Sequence, residues 1–266
     1  MPESRRNAVD DRKAGRWPPG TVSSALARPG VRVVMDSVGR RRRMLDLLAI
    51  EGPDVDRLCT AFLACLPGVG GASVAVMTNA VNRRVVCTTD RVGELIEDLQ
   101  FTLGEGPCVD AFAEGGLVLA ADLADPQYLL RWPAFTPAGV TAGARAVFAF
   151  PLQVGAIRIG VLDLYRAGPG ALPDTELADA LVFADVLTSL LLGNGHNGAA
   201  VDRLDLGIDR RAVVHQATGM LRAQLGVSID EAFVRLRAHA YTNDQPLEEV
   251  ARAVVARRLR LEDRDD

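Results

Sequence analysis

The chain has 266 residues, of which 48% are apolar and 5% aromatic, and a formal net charge of −4. This length allows one large domain or two modest ones, each with its own core. No apolar run approaches the roughly 20 residues that a membrane-spanning helix needs, so we expect a cytoplasmic protein without a membrane partner. The four cysteines show no CxxC spacing, which argues against a zinc knuckle or a disulfide framework.

Charge is unevenly distributed along the sequence. Residues 44–200 carry 8 Lys/Arg against 18 Asp/Glu, a balance of −10, whereas residues 209–260 carry 9 against 6, a balance of +3. Because nucleic acids are polyanions, the middle of the chain would repel them and the C-terminal part would weakly attract them.

Residues 1–40 are predicted to form a disordered basic segment, since they are rich in Arg, Pro and Gly and lack periodicity. Met35 is an alternative start of the protein. Residues 40–43 are four arginines that lead into an amphipathic helical pattern over residues 45–66. That continuity favours the solvated start of a helix over a dedicated nucleic-acid patch.

The middle of the chain, residues 41–192, alternates between strand and helix patterns. Strands are predicted at residues 73–78, 85–89, 117–120, 147–154 and 157–165, the last two forming a hairpin about Gly155. Helices are predicted at 94–102, in a short segment from Cys108, and at 177–192. This order predicts an α+β fold, an antiparallel sheet with helices on one side.

The C-terminal part, residues 201–261, is predicted to be a bundle of three short helices. Apolar residues recur there at intervals of three and four in three segments. Gly226 ends the first helix, Ser228 and Glu231 form a capping box for the second, and Pro246 opens the third. Residues 193–200 are a predicted linker, and residues 262–266 an acidic tail.

This C-terminal part resembles the ANTAR family, the RNA-binding output module of bacterial transcription antitermination regulators. The resemblance rests on QATGML (216–221), SIDEAF (228–233), LRAHA (236–240) and LEEVA (247–251). It implies a homodimer that binds paired short hairpins in nascent RNA and prevents a terminator from forming. Thr218 stands where the family often has Lys, and Arg222 supplies a cation one turn later.

Residues 45–192 resemble a GAF domain, of the kind found ahead of ANTAR modules. The motifs are LGEGPC (103–108), DL (122–123), WPAF (132–135), RAV (145–147), PL (151–152) and GVLDLY (160–165). The resemblance implies a domain that senses an unknown small molecule. Candidate ligand contacts are Phe101, Asp122, Trp132, Phe135, Arg145 and Tyr165. Such aromatic residues are also typical of a core, and Asp122 and Arg145 of structural hydrogen bonds.

Candidate RNA contacts lie on the C-terminal helices. Unpaired bases stack on aromatic or guanidinium planes, while cations hold the phosphates. The candidates are Arg222, Arg235, Arg237, His239, Tyr241, Arg252, Arg257 and Arg258. For each residue taken singly, a place on a solvated face is the alternative.

Two other functional classes remain open. Cys108 follows a Gly/Pro loop at a predicted helix start, where a helix dipole lowers a thiol pKa, as a cysteine-dependent GAF enzyme would require. All three histidines lie outside residues 45–192, so a structural Cys108 is favoured, and we expect no enzymatic activity, cofactor or metal. The second class is a helix-turn-helix DNA regulator, against which the acidic start of the third helix, Glu248 and Glu249, argues.

Overall fold

A computed structural model of the protein describes residues 29–79, 83–195 and 212–261. The helices of the first domain are α1 (Pro29–Glu51), α2 (Val55–Leu63), α3 (Arg91–Leu103), α4 (Pro107–Glu114), α5 (Pro126–Arg131), α6 (Phe135–Ala142) and α7 (Asp174–Gly195). Its strands are β1 (Gly71–Met77), β2 (Arg83–Thr88), β3 (Val118–Ala120), β4 (Ala146–Val154) and β5 (Ile157–Arg166). The C-terminal domain contains α8 (Ala212–Leu225), α9 (Ile229–Thr242) and α10 (Leu247–Val255).

The strands form a five-stranded sheet in the order β2-β1-β5-β4-β3, and every neighbouring pair is antiparallel. The hairpin between β4 and β5 turns at Gly155, whose φ of 57° suits a residue without a Cβ. The structure confirms the predicted α+β fold with an antiparallel sheet and a C-terminal helical unit.

Helices cover both faces of the sheet, so the expectation that they lie on one side is wrong. One face packs against α1, α2 and α7 through residues such as Val74, Phe148 and Leu162. The opposite face packs against α3, α4 and α6 through Ala75, Val147 and Val161. Successive residues of a strand point to opposite faces, and both sets are apolar here, so each face requires a covering layer.

Several boundaries differ from the predicted ones. The amphipathic pattern over residues 45–66 is divided between α1 and α2, because Gly52 has a φ of 77° and Pro53 follows it. Helix α1 begins at Pro29, within the segment predicted to lack structure, and α7 continues to Gly195, within the predicted linker. Residues 1–28, 196–211 and 262–266 lie outside the described residues.

The helices α8, α9 and α10 share one hydrophobic core. Small residues such as Ala217, Ala232 and Ala251 are fully buried in it, which lets the three helices approach closely. The Ser228 hydroxyl accepts a hydrogen bond of 3.1 Å from the Glu231 amide and so caps α9 as predicted. In the described parts of the chain, no helix is long and apolar enough to cross a membrane.

Candidate functional site

The C-terminal helices expose several of the residues predicted to bind RNA. Arg222 lies in the last turn of α8 and Arg252 in the last turn of α10, and both are exposed. Tyr241, near the end of α9, is 69% exposed although it is a large aromatic residue. His239 on the same helix is half-buried. Exposed rings and exposed cations are the groups that single-stranded RNA uses for stacking and phosphate contacts.

Two of the candidate arginines form ion pairs along their own helices. Arg235 Nε lies 2.9 Å from Glu231 Oε1 on α9, and Arg252 pairs with Glu248 on α10. Both pairs are partly solvent-exposed, and such pairs contribute only about 0 to 1 kcal/mol to stability. An RNA phosphate can therefore replace the glutamate carboxylate as the partner of either arginine with little loss of stability.

The end of α10 presents two further candidates, Arg257 and Arg258. Arg257 adopts a φ of 57°, and the amides of Arg258 and Leu259 donate to the carbonyl of Ala253, at 2.8 and 3.1 Å. This left-handed turn ends the helix. Beside it, a surface groove is lined by Gln245, Glu249, Val250, Arg252, Ala253 and Arg258. Two guanidinium groups therefore line the groove, that of Arg252 on α10 and that of Arg258 just after the helix.

Arg237 contacts the first domain. Its guanidinium carbon lies 4.6 Å from the ring centroid of Phe233. The guanidinium also lies against Gly104, which ends α3 with a φ of 71°, and a methyl group there would overlap it. Burial lowers the pKa of Arg237 from its ordinary value. The structure therefore places Arg237 at the contact between the domains.

Phe101, predicted to contact a ligand, also lies at this contact. Its ring centroid is 5.0 Å from that of Phe233, and its side chain is 4% exposed within the core of the C-terminal helices. The ring of His215 on α8 lies edge-on to the Phe101 ring, with 6.4 Å between the two centroids. Phe101 of α3 therefore extends from the first domain into the hydrophobic core of the C-terminal helices.

The other predicted ligand contacts fall into two groups. Arg145 Nη2 donates to Asp122 Oδ1 at 2.9 Å on the surface, and this hydrogen bond lowers the pKa of Asp122. Trp132, Phe135 and Tyr165 instead lie in the hydrophobic layer between the sheet and α3 to α6. The ion pair therefore lies at the surface, whereas the three aromatic residues are buried in the core.

A cluster of buried polar groups lies between the sheet and helices α3 and α4. Arg83 Nη2 donates to Glu97 Oε2, while Ser73 Oγ donates to Glu97 Oε1 at 2.7 Å. Gln100 Nε2 donates to Asp163 Oδ2 at 2.7 Å. The oxygen of the same amide accepts a 2.7 Å hydrogen bond from the backbone amide of Cys108, which joins α4 to the network. We call these residues the buried polar cluster: Ser73, Arg83, Glu97, Gln100, Cys108 and Asp163.

Burial sets the protonation behaviour of this cluster. It raises the pKa of Asp163 to about 7, and the neighbouring Glu97 charge acts in the same direction. Burial also raises the pKa of the Cys108 thiol well above its usual value. For Arg83, burial opposes the charge, but the Cys108, Glu97 and Asp163 groups outweigh it and hold the pKa above the ordinary value. A fully buried thiol with a raised pKa is a poor nucleophile.

Sequence reasoning missed most of this cluster. Its members come from β1, β2, α3, α4 and β5, so no local spacing relates them. One signal was available: Asp163 interrupts an apolar strand, at a position whose neighbours Leu162 and Leu164 are fully buried. A charged residue at such a position requires a buried partner. Glu97, Cys108 and Asp163 also supply atoms of the kind that hold metal ions, and these atoms lie within 4.8 Å of one another.

Residues 203–255 match the sequence model of the ANTAR domain, which confirms the predicted identity of the C-terminal unit. The first of these residues lie outside the described part of the chain. A search of curated proteins found no match.

Several solved structures, GAF domains among them, are similar to a part of the chain. A GAF domain of a phosphoenolpyruvate-protein phosphotransferase from Coxiella burnetii is 14% identical, over 62% of this chain and 98% of that one, with a TM-score of 0.46. A domain of a putative two-component sensor histidine kinase from Sinorhizobium meliloti 1021 is 21% identical, over 55% and 96%, with a TM-score of 0.43. The type II free methionine-R-sulfoxide reductase from Thermoplasma acidophilum is 16% identical, over 59% and 96%, with a TM-score of 0.38.

Proposed function

Because the chain carries an ANTAR domain, we propose that it is a transcription regulator that binds paired hairpins in nascent RNA and prevents terminator formation. The ANTAR match at residues 203–255 is the observation that carries this proposal. The exposed arginines and Tyr241 on the helices support it, since they offer both phosphate contacts and a stacking surface. The protein acts in the cytoplasm, by binding rather than by catalysis.

The GAF-like domain is the proposed sensor of a small molecule. Helix α3 supports this role because its two sides face different domains. Glu97 and Gln100 belong to the buried polar cluster, whereas Phe101 packs against Phe233 and Gly104 lies under Arg237. A change in the cluster that moves α3 therefore also moves groups in contact with the RNA-binding helices.

A homodimer is the proposed active form. Two hairpins held by two linked weak sites gain from the high effective concentration of the second site. Helices α1 and α7 are joined within one chain by ion pairs of Arg40 and Arg43 with Asp179, at 2.8 and 3.2 Å. Large apolar side chains remain exposed on these two helices: Val38, Leu45, Ile50, Leu181 and Leu192. Light scattering of the purified protein, with and without two-hairpin RNA, measures the expected dimer.

A gel-shift titration with a two-hairpin leader RNA tests RNA binding. Arg222→Ala and Arg258→Ala should each weaken binding and reduce its salt dependence by about one counterion per lost phosphate contact. For Arg257 the substitution is Arg257→Gly, since glycine keeps the left-handed turn. The matched control is Arg91→Ala, which removes an exposed arginine from the first domain. Equal binding by all four variants would eliminate these arginines as RNA contacts.

A DNA competition in the same titration and a separate activity assay distinguish the alternative functions. Duplex DNA that competes better than the hairpin RNA would favour the DNA-binding alternative. Turnover of an oxidised thioether that disappears in Cys108→Ser would establish the cysteine-dependent enzyme. Complete burial of Cys108 and its raised pKa argue against that outcome.

A further inference from the structure

Three side chains of the buried polar cluster present metal-ligating atoms to one point. Glu97 comes from α3, Cys108 from α4 and Asp163 from β5, and one ligand atom of each lies within 4.8 Å of the others. The three residues are 1%, 0% and 3% exposed. Two carboxylates and a thiol this deeply buried are seldom left without a compensating charge.

Asp163 supplies a second, independent sign of a missing partner. Its Oδ2 accepts a hydrogen bond from Gln100 and the Cys108 side chain interacts with the same carboxylate, but within the described residues no well-formed hydrogen bond reaches the buried Oδ1. A buried carboxylate oxygen without a partner is destabilising, because it has lost its hydration and gained nothing in return. A cation bound beside Oδ1 would remove this deficit.

We propose that the GAF-like domain binds one divalent first-row transition-metal ion through Glu97, Cys108 and Asp163. A thiolate ligand favours zinc-like or iron-like ions over Mg²⁺ and Ca²⁺, which prefer oxygen ligands only. Three protein ligands suit a tetrahedral ion whose fourth position is held by water or by an exogenous ligand. Gln100, which contacts both Asp163 and the Cys108 backbone, orients two of the three ligands.

Arg83 balances the charge of such a site, while its own Nε, buried without a hydrogen-bond partner among the described residues, is a donor that the ion would not satisfy. The guanidinium donates to Glu97, so it lies beside the cluster and carries one positive charge. Two carboxylates and one thiolate carry three negative charges, which one guanidinium and one divalent ion neutralise completely. The buried site is therefore electrically neutral when the metal is bound, as a low-dielectric interior requires.

Metal binding would also reach the RNA-binding helices through α3. Bonds of about 2.0 to 2.3 Å from a zinc-like ion to oxygen and sulfur would tie Glu97 of α3 to Cys108 of α4 and Asp163 of β5. The ion would thus fix Glu97 relative to β5, and on the same helix Phe101 contacts Phe233. This consequence for RNA rests on the function proposed above, whereas metal binding at the cluster stands independently of it.

The first test uses the full chain after removal of metal with a chelator, titrated with Co²⁺ and followed by absorption. We expect one Co²⁺ per chain, with a sulfur-to-metal charge-transfer band that Zn²⁺ abolishes by competition. Cys108→Ser should lose the band, and Asp163→Asn and Glu97→Gln should weaken binding by about tenfold or more. Cys65→Ser is the matched control, because Cys65 is an exposed cysteine outside the cluster, and it should keep the band.

X-ray absorption of the unaltered Zn²⁺-loaded protein needs no variant and so covers the case in which a variant misfolds. We expect one sulfur scatterer at about 2.3 Å and the remaining ligands to be oxygen. Absence of stoichiometric binding, a sulfur-free site, or a band that survives Cys108→Ser would overturn the proposal.

A second arm compares affinity for two-hairpin RNA in the Zn²⁺-loaded and the metal-free protein. A difference that is absent in Cys108→Ser supports transmission through α3. Equal affinities with a confirmed metal site would retain the site and reject transmission. Loss of RNA binding in both forms would reject the proposed function and leave the metal site standing.

Discussion

The two faces of the five-stranded sheet bury different kinds of side chain. Toward α1, α2 and α7 the sheet is covered by apolar residues, and the rings of Phe62 and Phe183 stack at 3.9 Å. Toward α3 and α4 the apolar layer also encloses Arg83, Glu97 and Asp163, all nearly inaccessible to solvent. The first face has the composition of a stabilising core. The second bears buried charges that such a core would exclude, and it is the face from which α3 reaches the C-terminal helices.

The largest effect is expected on the apolar face. Phe183→Ala removes a ring that is 1% exposed and stacked on Phe62, and large-to-small changes of this kind destabilise by about 4 kcal/mol. The measurement is the free energy of unfolding in urea. Leu181→Ala on the same helix is the control, since Leu181 is 40% exposed and should cost far less. Equal losses in the two variants would contradict the assignment of this face as the main core.

On the polar face, breaking the buried ion pair should cost somewhat less. Glu97→Gln in metal-free protein removes the charged partner to which the buried Arg83 guanidinium donates, which we expect to destabilise by about 3 kcal/mol. Adding Arg83→Met to this variant should recover part of the loss, because the uncompensated charge is then gone. A double variant less stable than Glu97→Gln would indicate that Arg83 has other stabilising partners.

A smaller effect is expected where α3 meets the C-terminal helices. Gly104→Ala places a Cβ at a φ of 71° and against Arg237, which we expect to destabilise by about 1 to 2 kcal/mol. The substitution should also displace the Arg237 guanidinium, an effect measurable as increased proteolysis between the domains. Gly116→Ala is the matched control, because nothing lies within 4 Å of its added carbon and its φ is not positive. Equal proteolysis of the two variants would argue against the contact.

The smallest effect is expected for the exposed ion pair of the first domain. Asp122→Asn disrupts the contact with Arg145, which like the Arg83 contact joins an arginine to a carboxylate but lies at the surface. Water screens such a pair, so the urea midpoint should be indistinguishable from that of the unaltered protein. A clear destabilisation here would show that this pair, unlike most exposed ones, holds the local turn together.

Local patterns predicted much of the fold because strands and helices have different periods. The hairpin about Gly155 and the Ser228 cap were predicted from neighbouring residues and are present. The short helices α5 and α6 were not predicted, since six to eight residues are too few to establish a period. The helical layer on the second face of the sheet was also missed. It is required because both sides of the strands are apolar, which the prediction of helices on one side did not take into account.

The candidate sites were predicted less completely, for a physical reason. Exposure of Tyr241 or Arg222 follows from one helix, but the position of Arg237 depends on its contact with Gly104, about 130 residues away. The buried polar cluster joins residues from five elements, so only the tertiary fold brings them together. Sequence patterns report local periodicity and do not report such long-range contacts.

Immunoprecipitation of the protein from its host, followed by sequencing of the bound RNA, is the direct test of the proposed RNA binding. We expect enrichment of leader transcripts that contain two adjacent hairpins, and loss of this enrichment when Arg222, Arg252 and Arg258 are all replaced by Ala. Equal recovery of RNA by the unaltered protein and the triple variant, with both folded, would show that these arginines do not bind RNA.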